Sequence, residues 1–360
     1  MGDAGLALND SVSLNALNPA ALAAIKQTRI SASGYLTRQW MRDHQASDLE
    51  DWGQVECFSI ALRLREGLAI GFFLTPESRI DYLYNWDVVI DDQIFTQSNQ
   101  GSGGLSRIAL NLGWAPWSWA KIGAGITTIW GYNEEKRISY IGQSGYNQYI
   151  EFLNEEKWLA FGGSLGILLQ PVDRLTLGAV FEPEIPIDLD RTYSYTDEDS
   201  SITYKTEYKL AARYGLGLSY RFKPQWQAAG QIIYRPWSDL EESLPPGPQE
   251  YQDSYELAAG LEWIPGHWND DFLLRRMQYR FGFRWETGYA LSEGSSIDGY
   301  YATLGLGYPF NEGKDRFDFS LEYGLRGDLS ANGGQENILK FRVGLNIGET
   351  WFVRTKPPWE

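Results

Sequence analysis

Apolar and polar residues alternate along much of the chain with a period of two. In the segment RFDFSLEYGLRG, which starts at Arg316, every second residue from Phe317 to Leu325 is apolar, and the residues between them are charged or small. The segments YGLGLSYRF (214–222), YRFGFRWE (279–286) and LKFRVGLNIG (339–348) repeat this order. Because successive side chains of a β-strand point to opposite faces, the pattern predicts strands with one apolar and one polar face.

The connections between these segments alternate between short and long. Tight turns are predicted at 65–67, 115–119, 169–173 and 222–225, and long polar loops at 43–53, 93–102, 134–156, 238–252 and 328–336. A soluble sandwich also alternates, with its apolar face inward. Alternating short and long connections, together with large aromatic residues at the strand ends of the apolar face, are instead typical of outer-membrane barrels.

The sequence therefore predicts an all-β fold, a transmembrane antiparallel β-barrel of about 14 strands. The predicted strands are 27–43, 54–65, 68–92, 103–115, 119–133, 157–170, 173–196, 202–222, 225–237, 253–264, 274–291, 296–309, 315–327 and 337–348.

Composition and charge exclude several classes of function. The 22 Tyr, 16 Phe, 15 Trp and 38 Gly suit strands and turns. A net charge of -16 argues against a nucleic-acid partner, whose phosphates need a basic surface. The single cysteine, Cys57, excludes an internal disulfide, and without a Cys/His cluster we predict neither a metal site nor a cofactor. The longest apolar run, AFGGSLGILL (160–169), is shorter than the roughly 18 residues of a transmembrane helix.

Nothing in the sequence predicts an enzyme. The two histidines, His44 and His267, fall in a predicted outer loop and a predicted periplasmic turn. His44 lies near Asp43 and Asp48, but no second catalytic motif accompanies it, and loop histidines are usually solvated.

The N-terminal segment differs from the rest of the chain. ALNDSVSLNALNPAALAAIKQTRI (7–30) is rich in Ala, Asn and Ser and does not alternate before residue 27. A barrel of about fourteen strands is too wide for its wall side chains to fill, so it is either open or plugged. We predict that residues 1–26 form a plug, 27–348 the barrel and 349–360 a periplasmic tail; a disordered leader is the alternative. The lack of a signal peptide ahead of the plug fits a mature, cleaved chain in the outer membrane of a Gram-negative bacterium.

Several motifs resemble those of a known family. The start of the chain, MGDAGLALNDSVSLNALNPAALA, is similar to the N-terminal hatch of the FadL/OmpP1/TodX outer-membrane proteins, including the motif formed by Asn18, Pro19 and Ala20. The segments GSGGLSRIALNLGWAP (101–116) and LKFRVGLNIGETWFVRTKP (339–357) look most like FadL-related barrels of Bacteroidota-type bacteria, a group that includes PorV-like secretion components. The resemblance implies a fourteen-stranded barrel with a hatch in its lumen.

A proline interrupts the third predicted strand. Proline cannot donate a hydrogen bond to a ladder, so Pro76 predicts a bulge, kink or local gap at Pro76, Glu77 and Ser78. By strand count, this position matches the kink that opens a lateral exit in the FadL family. Alternatively, Pro76 lies beyond the membrane, where a bulge has no consequence.

The predicted loop 134–156 carries a possible ligand groove. Tyr146, Tyr149, Ile150 and Leu153 follow helical spacing, which predicts a short helix with one apolar face. Exposed apolar faces often mark binding grooves. Packing of the loop on itself is the alternative.

Charged residues on the polar faces of the last strands predict a network in the lumen. Its members are Arg280, Arg284, Asp318, Glu322, Arg326, Lys340 and Arg342. Such mixed charges usually form hydrogen-bonded networks, while arginine forks also suit a carboxylate ligand. If residue 327 pairs with 337 in the last hairpin, Glu322 faces Arg342 and Gly324 faces Lys340.

Two functions are compatible with these features. The first is an outer-membrane channel for passive uptake of hydrophobic or amphipathic small molecules. The second is a PorV-like barrel that acts as a protein-docking subunit of a secretion or assembly complex. The expected partners are membrane lipid, lipopolysaccharide, a hydrophobic ligand and, for the second function, other outer-membrane or periplasmic proteins.

Overall fold

The computed structural model describes residues 1–90, 93–141, 148–195, 201–243, 250–292 and 294–349. The strands are β1 (Thr28–Asp43), β2 (Ser47–Arg65), β3 (Leu68–Ile90), β4 (Gln93–Trp117), β5 (Ala120–Ile141), β6 (Gln148–Val172), β7 (Leu175–Glu182), β8 (Ile185–Tyr195), β9 (Ser201–Leu210), β10 (Arg213–Lys223), β11 (Trp226–Arg235), β12 (Ser254–Trp263), β13 (Gln278–Glu286), β14 (Leu291–Ser292), β15 (Ser295–Ser296), β16 (Gly299–Phe310), β17 (Asp315–Arg326) and β18 (Gly334–Glu349). Short helices are the 3-10 turns Pro19–Ala24 and Ser238–Ser243, and α1 (Leu273–Arg276) and α2 (Leu329–Asn332). None of the described helices is long and apolar enough to cross a membrane.

The strands close into one antiparallel barrel. Within the described residues, fourteen strands pair in the order β1 to β7, β10 to β13 and β16 to β18, and β18 pairs with β1. The predicted fourteen-stranded all-β barrel is confirmed. The predicted strands 173–196 and 202–222 are each divided, into β7 with β8 and β9 with β10, by the residues Pro183–Glu184 and Ala211–Ala212.

Side chains alternate between the two faces of the wall. In β16 the burial pattern runs buried, exposed, buried, with Tyr301 and Thr303 inward and Tyr300 and Leu304 outward. β7 and β10 show the same alternation. The apolar face predicted from the period of two is thus the outer face, which suits a barrel surrounded by lipid.

Several strands extend far beyond the predicted boundaries. β4 and β6 contain 25 residues each, about 80 Å at roughly 3.3 Å per residue, whereas crossing a membrane takes about 9–11. The predicted long loops at 43–53, 93–102 and 134–156 are therefore wrong, because most of their residues continue the ladders. The upper parts of β3, β4, β5 and β6, together with β8 and β9, form what we call the projecting sheet.

The last hairpin has a different register from the predicted one. Glu322 pairs with Lys340, and the last pair is Arg326 with Glu336. Gly327, at φ +73°, turns the chain out of the ladder and donates its N–H to the Asp298 carbonyl. The register differs from the predicted one by two positions, so Glu322 and Arg342 still face the lumen.

Candidate functional site

The N-terminal segment lies inside the barrel. Gly2 donates its N–H to Thr303 Oγ1 of β16 at 3.0 Å, Gly5 donates to Gln231 Oε1 of β11 at 2.8 Å, and Asn18 Nδ2 donates to the Ile167 carbonyl of β6 at 3.2 Å. Contacts to strands on all sides of the ring are possible only from the lumen.

Glycines of the wall let the segment approach closely. At Gly113 of β4, an added Cβ would lie 2.7 Å from the Ala23 nitrogen and 2.9 Å from the Pro19 carbonyl oxygen, closer than real Cβ contacts. Nine inward-facing glycines meet the segment in this way, and we call them the glycine belt: Gly71, Gly113, Gly123, Gly166, Gly178, Gly215, Gly217, Gly260 and Gly282.

The three residues of the Asn-Pro-Ala motif lie at the centre of this contact. Asn18 and Ala20 are fully buried, and Pro19 begins the 3-10 turn. Asn18 Oδ1 accepts the Ala20 N–H at 3.0 Å, while its Nδ2 donates to the Leu6 carbonyl at 3.0 Å. One side chain therefore caps the turn, ties two parts of the segment together and contacts the wall.

Ion pairs also attach the segment to the wall. Asp3 pairs with Arg284 of β13, and Asp10 lies 3.5 Å from Arg316 of β17. Arg316 also donates to Ser13. Both arginines lie on the inner face of strands far apart in the ring from the glycines that meet Pro19.

The wall contains a gap between β2 and β3. Their ladder ends at the pair Phe58–Leu74, although β2 continues to Ser47 on β1 and β3 continues to Ile90 on β4. At Pro76 the β3–β4 ladder has a bulge, between the pairs Pro76–Ser106 and Ser78–Leu105, which leaves Glu77 unpaired. Above the gap, the Arg79 guanidinium lies 5.0 Å from the Trp52 ring centre.

The gap lies at the level of the apolar outer band. Val55 of β2, which borders the gap, and Leu36 of the adjacent strand β1 are 62% and 65% exposed on the outer face. The ion pair between Arg38 and Asp51, which is also exposed, lies one row above Leu36 on the same face.

Two cavities lie behind the wall. The first, of about 480 Å³, is bounded by the N-terminal segment and by wall residues that include Cys57 and Thr75 at the edge of the gap. The second, of about 380 Å³, lies between Leu17 and Phe73 on one side and Arg213 and Arg235 on the other.

The structure places six of the seven predicted lumen charges in two ion-pair clusters. Arg280 contacts Glu262 at 2.8 Å and Asp318 at 2.5 Å. Glu322, 1% exposed, lies between Arg342 at 3.0 Å, Lys340 at 3.7 Å and Arg284 at 3.8 Å. Arg326 stands apart at the rim, half exposed, 3.7 Å from Glu336.

A second group of charges was not predicted as a site. Glu77 accepts two hydrogen bonds from Arg107, at 2.7 and 3.0 Å, and Arg107 lies 3.4 Å from Glu182, which also pairs with Arg213 at 2.7 Å. These residues come from β3, β4, β7 and β10. Arg107 and Arg213 lie on the polar faces of alternating segments, but sequence alone does not reveal which strands they face.

The predicted outer-loop groove is not helical. Tyr149, Ile150 and Leu153 belong to β6, and Tyr146 lies outside the described residues. Because the backbone is a strand, Tyr149 and Leu153 share one face of the projecting sheet and Ile150 lies on the other. The expected helix with one apolar face is therefore wrong.

The inner face of the projecting sheet is aromatic. Tyr84 and Trp86 of β3 are 60% and 47% exposed, and Tyr195 of β8 and Tyr204 of β9 are similarly exposed. Arg137 lies 5.9 Å above the Phe152 ring, which stacks on Tyr193. At the base, Ile129, Leu189 and Tyr208 form a buried cluster with their neighbours.

The closed barrel has the fold of a FadL homologue and of two toluene transporters. Three solved structures share the fold: a Pseudomonas aeruginosa FadL homologue (TM-score 0.68, 13% identity, 96% of each chain covered), the Pseudomonas putida toluene transporter TodX (0.63, 15%, 95% of this chain and 96% of that one) and the Ralstonia pickettii toluene transporter TbuX (0.61, 15%, 92% of each). Two of these three proteins are described as toluene transporters.

The chain itself belongs to the BamG family, whose model matches residues 1–357. No match was found among curated protein sequences.

The Glu322 cluster yields a prediction about stability. Glu322→Gln leaves Arg284, Lys340 and Arg342 without their shared carboxylate, so we expect a loss of about 3–5 kcal/mol in the free energy of unfolding. Arg342→Gln should cost less, because Glu322 keeps two cations and the other carboxylate that loses its partner, Glu56, is partly exposed. Urea titrations of the refolded barrel in lipid vesicles measure both.

Arg326→Gln is the matched control for this cluster. Its ion pair is exposed at the rim, so the loss should stay below about 1 kcal/mol. Equal losses for Glu322→Gln and Arg342→Gln would show that one pair, rather than the three-cation cluster, stabilises this part of the lumen.

Proposed function

We propose that this barrel is an outer-membrane channel for passive uptake of hydrophobic or amphipathic small molecules. The observation that carries the proposal is the gap between β2 and β3 with a cavity of about 480 Å³ directly behind it. Unpaired backbone groups at membrane depth are tolerated only where they are covered by protein or line a cavity. A gap of this kind gives a ligand in the lumen a lateral route into the bilayer.

In this proposal, residues 1–26 act as a hatch. Asn18, Pro19 and Ala20 hold the segment against the glycine belt, and the ion pairs of Asp3 and Asp10 hold it against the opposite wall. Pro76, Glu77 and Ser78 form the bulge beside the lateral opening, which begins two residues beyond the last β2–β3 pair. Membrane lipid and lipopolysaccharide surround the barrel in a Gram-negative outer membrane.

The role of the hatch can be tested by substituting one glycine of the belt. In Gly123→Ala, the new Cβ collides with the backbone of Pro19 and Ala20, so we expect displacement of the segment and a several-fold rise in conductance in planar bilayers. Deletion of residues 1–26 should raise conductance further.

Gly305→Ala is the control for this experiment. Gly305 also faces the lumen, but the three atoms nearest to an added Cβ belong to Arg280, Phe319 and Ser320 of the wall, at 3.3 Å or more. This variant should conduct like the wild type. An unchanged conductance after deletion of 1–26 would show that the segment does not close the pore.

The lateral route can be tested through the natural cysteine. Cys57 and Thr75 would form the next pair if the β2–β3 ladder continued beyond Phe58–Leu74. Thr75→Cys therefore permits a short bis-methanethiosulfonate cross-linker, which forms a disulfide with each of the two thiols and releases methanesulfinate, to close the gap. We expect cross-linking to abolish uptake of a neutral hydrophobic dye into proteoliposomes, and reduction of the linker to restore it.

Thr75→Ser, treated with the same reagent, should retain uptake because Cys57 has no partner to join. Undiminished uptake through the cross-linked barrel would rule out the gap as the exit.

A second candidate function is supported by the projecting sheet. A PorV-like role as a protein-docking subunit of an outer-membrane secretion or assembly complex needs a large exposed surface outside the membrane. The aromatic inner face and the two unpaired edges, along β3 above Leu74 and along β9, supply such a surface within the described residues.

Docking predicts that exposed aromatic residues of the inner face hold a partner. Tyr84→Ser with Trp86→Ser should release the barrel from any larger assembly extracted from native membranes, as seen on native gels. Leu83→Ser with Val89→Ser is the control, since both residues are comparably exposed on the opposite face of β3. Migration of the wild type as a single barrel would argue against docking.

A further inference from the structure

One connection on the short-turn side of the barrel is much longer than the others. Within the described residues, the other connections on this side are turns of two to four residues, whereas β12 and β13 are joined by residues 264–277. Short turns mark the periplasmic side of an outer-membrane barrel, so we call this segment the periplasmic turn. The two strands pair directly from Trp263–Tyr279 onward, so joining them does not require this length.

The periplasmic turn exposes three consecutive apolar side chains, which we call the apolar tip. Phe272, Leu273 and Leu274 are 60%, 49% and 51% exposed. They lie at the start of α1, directly before Arg275 and Arg276. Leaving a group of large apolar side chains in water is unfavourable, and such a group on a protein surface often marks a binding or membrane site.

The backbone of the turn is held in place around this tip. Asp270 donates its N–H to the His267 carbonyl at 3.1 Å, and the Arg276 side chain donates to the Asp270 carbonyl. Trp268 packs on the turn between β16 and β17, where a Cβ added to Gly313 would lie 3.0 Å from the indole ring. A folded segment therefore presents the three apolar side chains.

The apolar tip adjoins the lipid-facing wall. The Tyr279 hydroxyl of β13 donates to the Leu274 carbonyl at 2.9 Å. Tyr279 shares the outer face of β13 with the exposed Phe281, and its ring centre lies 5.3 Å from that of Trp263, which stacks on Trp226 at 5.5 Å. Rows of Trp and Tyr at strand ends lie at the membrane–water interface. The tip thus continues a surface that already faces lipid.

We propose that the apolar tip inserts into the periplasmic leaflet of the surrounding bilayer, at the boundary between phospholipid head groups and acyl chains. Interfacial segments bury Phe and Leu at this depth and keep arginine at the head groups. Arg275, which is exposed beside the tip, suits a lipid phosphate. Lipid is favoured over a protein partner because the tip is bonded to the lipid-facing wall. This contact lies outside the lumen and goes beyond both proposed functions.

The test is site-directed fluorescence of the full-length barrel in phosphatidylcholine nanodiscs, which leave both sides accessible. In a Cys57→Ser background, Leu273→Cys carries an environment-sensitive fluorophore. We expect several-fold stronger quenching by a lipid with a nitroxide near its head group than at a control position, and several-fold weaker quenching by aqueous iodide.

Glu66→Cys supplies the control position. Glu66 is exposed at the tip of the tight turn between β2 and β3, on the same side of the barrel, and it follows Arg65. Its label should be quenched by iodide and little by the nitroxide lipid. Heat-dependent gel mobility verifies that each labelled barrel is folded. If Leu273→Cys does not fold, Phe272→Cys gives the same measurement.

The apolar side chains themselves should drive the insertion. Phe272→Ser with Leu274→Ser should raise iodide quenching of the label at position 273 several-fold, towards the value at position 66. Asp271→Ser, a change at an exposed polar residue next to the tip, should leave both kinds of quenching as they are.

Three outcomes would overturn the inference. Iodide quenching as strong at position 273 as at position 66 would place the tip in water. Protection of position 273 from both quenchers would show that protein covers it. Stronger quenching by a nitroxide at the end of the acyl chain than by one near the head group would place the tip deeper than the interface.

Discussion

Backbone hydrogen bonding in the wall is the constraint on which the rest of this structure depends. Lipid offers no partners to N–H and C=O groups, so a barrel must pair each strand with both neighbours. This chain meets the requirement around the ring except above the pair Phe58–Leu74, where β2 and β3 separate. The proline at position 76 cannot donate to a ladder, and the bulge beside it in the β3–β4 ladder lies two residues beyond the last β2–β3 pair. The exception to the rule is therefore local, and it coincides with the cavity behind Cys57 and Thr75.

A second constraint concerns the lumen, because the interior of a wide barrel has to be filled if it is to be closed. Wall side chains alone do not reach the centre of a fourteen-stranded barrel. Here the glycine belt removes side chains from the wall, so that backbone from residues 1–26 packs directly against backbone of the strands. Small residues are needed on both sides of such a contact, which accounts for the Ala, Asn and Gly content of the segment. Ion pairs at Asp3 and Asp10 supply attachment on the side where the wall is charged.

Sequence periodicity was sufficient for the fold class, the strand number and the choice of inner and outer faces. The inner and outer faces of the wall follow from the alternation of residues such as Phe319 and Ser320, because this alternation can be seen between neighbouring positions in the sequence. The ends of the strands could not be predicted from this alternation. The segments Ser47–Trp52 and Gln93–Ser102 are mostly polar, yet they continue the ladders beyond the apolar band. The helix predicted from Tyr149, Ile150 and Leu153 is wrong. Apolar residues separated by one, three and four positions fit one face of a helix, but they also fit a strand that is exposed on both faces. Contacts between strands that are distant in the sequence could not be predicted either, because the contact of Glu182 with Arg107 depends on how the ring of strands closes.

β3 connects the two candidate functions. Its part next to Pro76 borders the gap, and its part from Arg79 to Ile90 forms a free edge of the projecting sheet. The Arg79 guanidinium contacts β2 twice, over the Trp52 ring and at 3.9 Å from Glu50. A protein bound to the inner face at Tyr84 and Trp86 would act on the same strand a few residues above the gap. The residues that border the gap and the residues that form the free edge therefore belong to one continuous strand.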